Sequence, residues 1–222
     1  MGVESAEKKN SVYLEKRLAN AFIYIRRRSF GYNTKNTCSA VSLALALNYL
    51  ALQKQNGYVP LAWQAELLDE GLPGNAQSQR NKYPQAGKLS RYLIGKCGLS
   101  GASFAFMITR ALKKYSQQFL PADNQLELRW TFAPRTATVK KNIDANIPVL
   151  ITTTLAKEFS WHTMLVYGYR EIYGKTELLV HSGWYQNSCN NYYSFQNKVK
   201  YFQKEIWLDK RLACFGYYFS LI

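Results

Sequence analysis

Cys38 follows a polar run, Gly31 to Thr37, and stands at the head of a long apolar segment that reaches Lys54. A thiol attacks a carbonyl efficiently only when its thiolate is stabilised. A helix N-terminus provides that stabilisation through unpaired N–H groups and the positive end of the helix dipole. A nearby imidazole completes such a site by taking the thiol proton and later giving it to a leaving group. The chain holds two histidines, His162 and His181, so the choice of partner is narrow. The residues that could do chemistry are therefore a cysteine early in the chain and two histidines late in it.

The elements around these residues decide whether they can meet. Cys38 to Lys54 carries Ala40, Val41, Leu43 to Leu47, Leu50, Ala51 and Leu52, apolar nearly all round, which predicts a buried helix. Asn36 or Thr37 is a natural N-cap for it. Before it, Leu14, Leu18, Ala21, Phe22 and Ile25 make one stripe, predicting a helix over Leu14 to Arg28. Gly71 to Pro84 reads as a loop. Helices are expected from Pro84 to a stop at Gly98, and from Ser103 to Tyr115.

After this the pattern changes. Leu126 to Phe132 alternates as a strand, Thr136 to Ala145 is a short helix, and Pro148 to Thr153 is a β-branched run. Trp161 to Tyr169 and Glu177 to His181 make a hairpin across Gly174. Val199 to Trp207 and Phe215 to Leu221 finish as strands. Helices first and an antiparallel sheet later predict an α+β fold of two lobes, a helical one over about 11–120 and a sheet lobe over about 125–222. His162 opens one strand and His181 ends the next. Antiparallel pairing brings those two ends to one edge of the sheet, which would face the start of the Cys38 helix.

Composition narrows the function classes. Charged residues are 19% and hydrophobic residues 47%, which suits a packed core and not a disordered chain. No apolar run approaches the roughly 18 residues of a membrane span. The net charge of +15 invites nucleic acid or an anionic surface. The basic residues are scattered, however, with Arg26-Arg27-Arg28 the densest run and no nucleic-acid-binding signature beside it. Of the four cysteines, Cys97 and Cys214 read as small buried hydrophobes and Cys189 as an incidental loop residue. No Cys-x-x-Cys pair occurs, so no metal site or cofactor is expected.

Asn36-Thr37-Cys38-Ser39-Ala40-Val41 and the helix behind it resemble the nucleophile helix of papain-like peptidases. The resemblance points toward bacterial members: streptopain, the bacteriocin-processing double-glycine peptidases, and related cysteine peptidases of Gram-positive bacteria. Asn146 to Ile151 resembles the strand that precedes their histidine. Trp161-His162-Thr163-Met164-Leu165-Val166-Tyr167-Gly168-Tyr169 is similar to their histidine strand. Val180-His181-Ser182-Gly183-Trp184 resembles the segment carrying their third catalytic residue and a shielding tryptophan. The resemblance spans Tyr32 to Trp184 and implies a papain-like fold. It implies Cys38 as nucleophile, His162 as general base and acid, and a peptide or protein as substrate, cleaved through a thioester; transamidation would use the same residues.

Two positions depart from the family pattern. The third residue is usually Asn or Asp, and here His181 and Ser182 are the candidates. The oxyanion glutamine is usually about six residues before the cysteine, where this chain has Tyr32; Asn33 beside it carries a suitable amide. These departures keep a second expectation open, a non-catalytic module that binds a peptide or protein in the same cleft. A basic module for nucleic acid or anionic surfaces is the third. By resemblance, an extracellular or cell-surface location is expected if a leader has been removed, and a cytoplasmic one otherwise.

Overall fold

In the computed structural model, the described residues are 14–21, 37–54, 57–60, 63, 88–99, 103–154, 159–183 and 205–221. Within them lie strand β1 (Leu14–Arg17), helix α1 (Cys38–Lys54), α2 (Lys88–Gly95), α3 (Ala105–Phe119), β2 (Leu126–Phe132) and α4 (Thr136–Asp144). Then follow β3 (Val149–Thr153), β4 (His162–Ile172), β5 (Lys175–His181), β6 (Ile206–Asp209) and β7 (Ala213–Leu221). The sheet runs β2-β7-β3-β4-β5-β6, with β1 also beside β4, and every pairing is antiparallel. The α+β class expected from the sequence is the class observed.

Helix α1 begins at Cys38 and is buried along most of its length, Ala40 to Leu47 being almost fully enclosed. An all-round apolar helix has no face it can leave in water, so other elements must cover it on several sides. It packs on β4, and α2 and α3 pack against it in turn. Val149 to Thr153 is buried throughout, as a β-branched run in the middle of a sheet should be.

The expected helix over Leu14 to Arg28 is corrected at its start. Leu14–Arg17 is a strand, paired with Glu171 to Gly168 of β4. The side of β4 that β3 uses at His162 to Val166 is open further along, and β1 fills it. Main-chain pairing with that open edge outweighs a weak helical stripe. Leu14 itself is exposed, whereas Leu18 and Ala21 of the same stripe are buried in the core, so the stripe marks a core face only beyond the strand. Residues 22–28 of that helix lie outside the described residues, as do residues 199–204 of the strand expected over Val199 to Trp207.

Gly168 allows β1 to sit there. A Cβ at this position would stand 2.8 Å from the Lys16 carbonyl oxygen and 3.3 Å from the Leu179 Cβ. The obstacle is main chain, which cannot swing aside. Gly168→Ala is expected to destabilise the protein by about 1–3 kcal/mol through overpacking. Urea unfolding checks this, and an unchanged midpoint would contradict it.

Candidate active site

The start of α1 touches the strand that begins at His162 and the segment that follows the strand ending at His181. Thr37 stands at the cap position, its carbonyl accepting from Val41 N–H at 3.0 Å. Ser39 Oγ lies 3.0 Å from Thr163 Oγ1, and Ser42 Oγ donates to the Thr163 carbonyl at 2.9 Å. Cys38 and His162 are thus each one residue from a direct contact between helix and strand. Just beyond the next strand, Gly183 closes against the same turn: a Cβ there would be 3.0 Å from Val41 Cγ1. Gly183 has φ of +74°, a left-handed conformation that glycine adopts without strain. The Ser182-Gly183 turn therefore meets the Cys38 helix only because position 183 lacks a side chain.

His162 is buried, and its Nε2 is 2.7 Å from the main-chain carbonyl of Ser182. A carbonyl only accepts, so Nε2 carries the proton and Nδ1 is the basic nitrogen of the neutral ring. The partner seen at Nε2 is thus a main-chain carbonyl. The Phe159 ring lies across His162 at 5.8 Å between centroids and 26° between planes. Thr153 Oγ1 donates to the Phe159 carbonyl and holds this segment in place. Burial lowers the His162 pKa to about 4, although the bond to Ser182 acts in the opposite direction.

His181 is also buried, and its Nδ1 accepts from Gly183 N–H at 3.0 Å. It pairs with Leu165 across β4, so cross-strand geometry puts it on the sheet face that Thr163 and Leu165 share. Trp161 precedes His162 with φ of +53°, uncommon for a bulky residue, and is 47% exposed. Its ring meets Phe104 edge-on, and Phe104 stacks on Phe106, making an exposed aromatic cluster beside the histidine.

Asn33, Trp184 and Cys189 lie outside the described residues. Cys38, Cys97 and Cys214 are free thiols. Cys97 is buried as expected, while Cys214 is half-buried against Thr154. Among the described residues no three His, Cys, Asp or Glu side chains gather to hold a metal, and no helix is long and apolar enough to cross a membrane.

Two contacts of His162 were not anticipated. Phe159 could have been noticed as an aromatic three residues before the histidine. The Ser182 carbonyl carries no sequence signal, because every residue has one.

A helix that begins at Cys38, docked on the His162 strand of an antiparallel sheet, accords with the papain-like fold of C39-type cysteine peptidases. The chain belongs to the Peptidase_C39 like family, which matches residues 19–211. No curated protein matches the sequence.

Proposed function

We propose that the protein is a cysteine peptidase or amidase that opens a peptide or amide bond through a thioester on Cys38. The observation that carries this reading is the joining of the Cys38 turn to the His162 strand, with the His162 ring oriented by a main-chain acceptor. His162 Nδ1 takes the thiol proton as sulfur attacks the carbonyl carbon. The tetrahedral adduct collapses, the C–N bond breaks, and His162 returns the proton to the leaving amine. Water then attacks the thioester with His162 again as base, releasing the acid and restoring the thiol. The Cys38 N–H and the Asn33 amide are the proposed oxyanion donors. Ser182 orients the imidazole, His181 holds the Ser182-Gly183 turn, and Trp184 shields the pair. Phe104, Phe106 and Trp161 offer apolar contact to a peptide. The whole chain is read as one papain-like domain.

A second reading, a peptide-binding module without turnover, is favoured by one observation. The Ser182 carbonyl is neutral and gives an imidazolium less support than a carboxylate would. Incubation with a mixed peptide library, followed by mass spectrometry, separates the two. Cleavage by the native chain and none by Cys38→Ser supports the peptidase. Peptides retained equally by both, with no cleavage by either, support the binding module.

A further inference from the structure

Four hydroxyl groups form a line beneath the first turn of α1. Ser39 Oγ is 3.0 Å from Thr163 Oγ1, which is 2.9 Å from Thr152 Oγ1, which is 3.1 Å from the Tyr217 hydroxyl. All four residues are buried. The line joins α1, β4, β3 and β7, and its hydroxyls have no other partner among the described residues. The mechanism above uses none of them.

Proton counting gives this line a property that a single hydrogen bond lacks. Each hydroxyl carries one proton and can both donate and accept. Three links use three protons, so one of the four is left over. If every group donates toward Tyr217, the spare proton is the phenol's. If every group donates toward Ser39, it is the Ser39 proton. Hydroxyl hydrogens rotate readily, so the line can reverse. A nearby negative charge selects the sense whose positive end faces it, and linked hydrogen bonds polarise one another in a low-dielectric interior.

The Ser39 end of the line adjoins the nucleophile. Ser39 is the next residue to Cys38 in α1. At the other end, burial pushes the Tyr217 phenol up to about 12, so the phenol keeps its proton at neutral pH.

We propose that Ser39, Thr163, Thr152 and Tyr217 form a reversible hydroxyl dipole that stabilises negative charge at Cys38, with Tyr217 a positioning residue at its far end. The proposal rests on the thiol chemistry above and deepens it. It gives the site a source of anion stabilisation from the sheet, in addition to the helix N-terminus.

The test is the pH profile of Cys38 alkylation by iodoacetamide on the full chain, followed by mass spectrometry. Tyr217→Phe removes the end hydroxyl, and Thr152→Val cuts the line with little change of volume. Both should move the profile to higher pH by about half a unit, which makes alkylation about threefold slower at a fixed pH below the midpoint. Thr152→Ser keeps the hydroxyl and should follow the native profile. A Tyr217→Phe profile that superimposes on the native one overturns the proposal, as does an equal shift for Thr152→Val and Thr152→Ser. If Thr152→Val does not fold, Ser39→Ala cuts the other end and carries the same expectation. Failure of the thiol chemistry looks different: Cys38 in the native chain would react no faster than Cys97 and Cys214, and the dipole would fall with it.

Discussion

Replacing His162 with alanine is expected to slow alkylation of Cys38 by at least about a hundredfold at neutral pH, the lower end of what a positioned base contributes. The expectation follows from where the imidazole is held. Ser182 fixes the Nε2 proton, so Nδ1 is left as the basic nitrogen. Phe159 lies on the ring and limits its rotation. Cleavage of any peptide substrate should fall at least as far, because the same nitrogen must later protonate the leaving amine. Labelling of Cys97 and Cys214 should not change, so each sample carries its own control. Equal labelling of Cys38 before and after the substitution would leave no place for His162 as its base.

The second large effect concerns acid. His162 titrates at about 4 in the folded chain, chiefly because it is buried, against an ordinary value of 6.5. Between these values the unfolded chain binds the proton and the folded chain does not. Stability therefore falls as pH drops from about 6.5 toward 4, and the loss levels off below that. A difference of this size corresponds to about 3 kcal/mol, taken as an order of magnitude. Urea unfolding at a series of pH values measures it. In His162→Gln, whose side chain does not titrate, that part of the pH dependence should be missing. A native profile flat between pH 4 and 6.5 would contradict the assignment. Within the proposed mechanism, the same burial keeps the imidazole neutral and ready to accept a proton at neutral pH.

The parts of the fold that could be read in advance are those whose side chains dictate their own environment. Cys38 to Lys54 is too apolar to be anything but a buried helix, and its observed bounds are the expected ones. Val149 to Thr153 is β-branched and buried, and the hairpin around Gly174 is announced by its glycine. β1 could not be read, because Leu-Glu-Lys-Arg is a strand only through the open edge of β4 that it fills. At the site, Cys38 and His162 were legible as chemical types, and Ser39, Ser42 and Thr163 were not. Small hydroxyl residues inside apolar runs look alike whether they face a helix carbonyl or a partner strand. The Ser182 carbonyl that meets His162 escaped for a deeper reason: a carbonyl belongs to the backbone, and only tertiary structure selects which one is used.

β7 lies between β2 and β3, although its residues follow both by scores of positions in the chain. During synthesis Cys38 and His162 are both made before the strand that closes the sheet beside them. Until residue 221 has emerged, β2 and β3 each have an unsatisfied edge, and neither can pair with the strand between them. Long-range pairing of this kind forms slowly and leaves strand edges open to other chains meanwhile. The order of the strands thus imposes a delay between making the nucleophile and completing its surroundings. A ribosome-bound chain stalled before Ala213 would carry the thiol and the imidazole without the strand that joins β2 to β3.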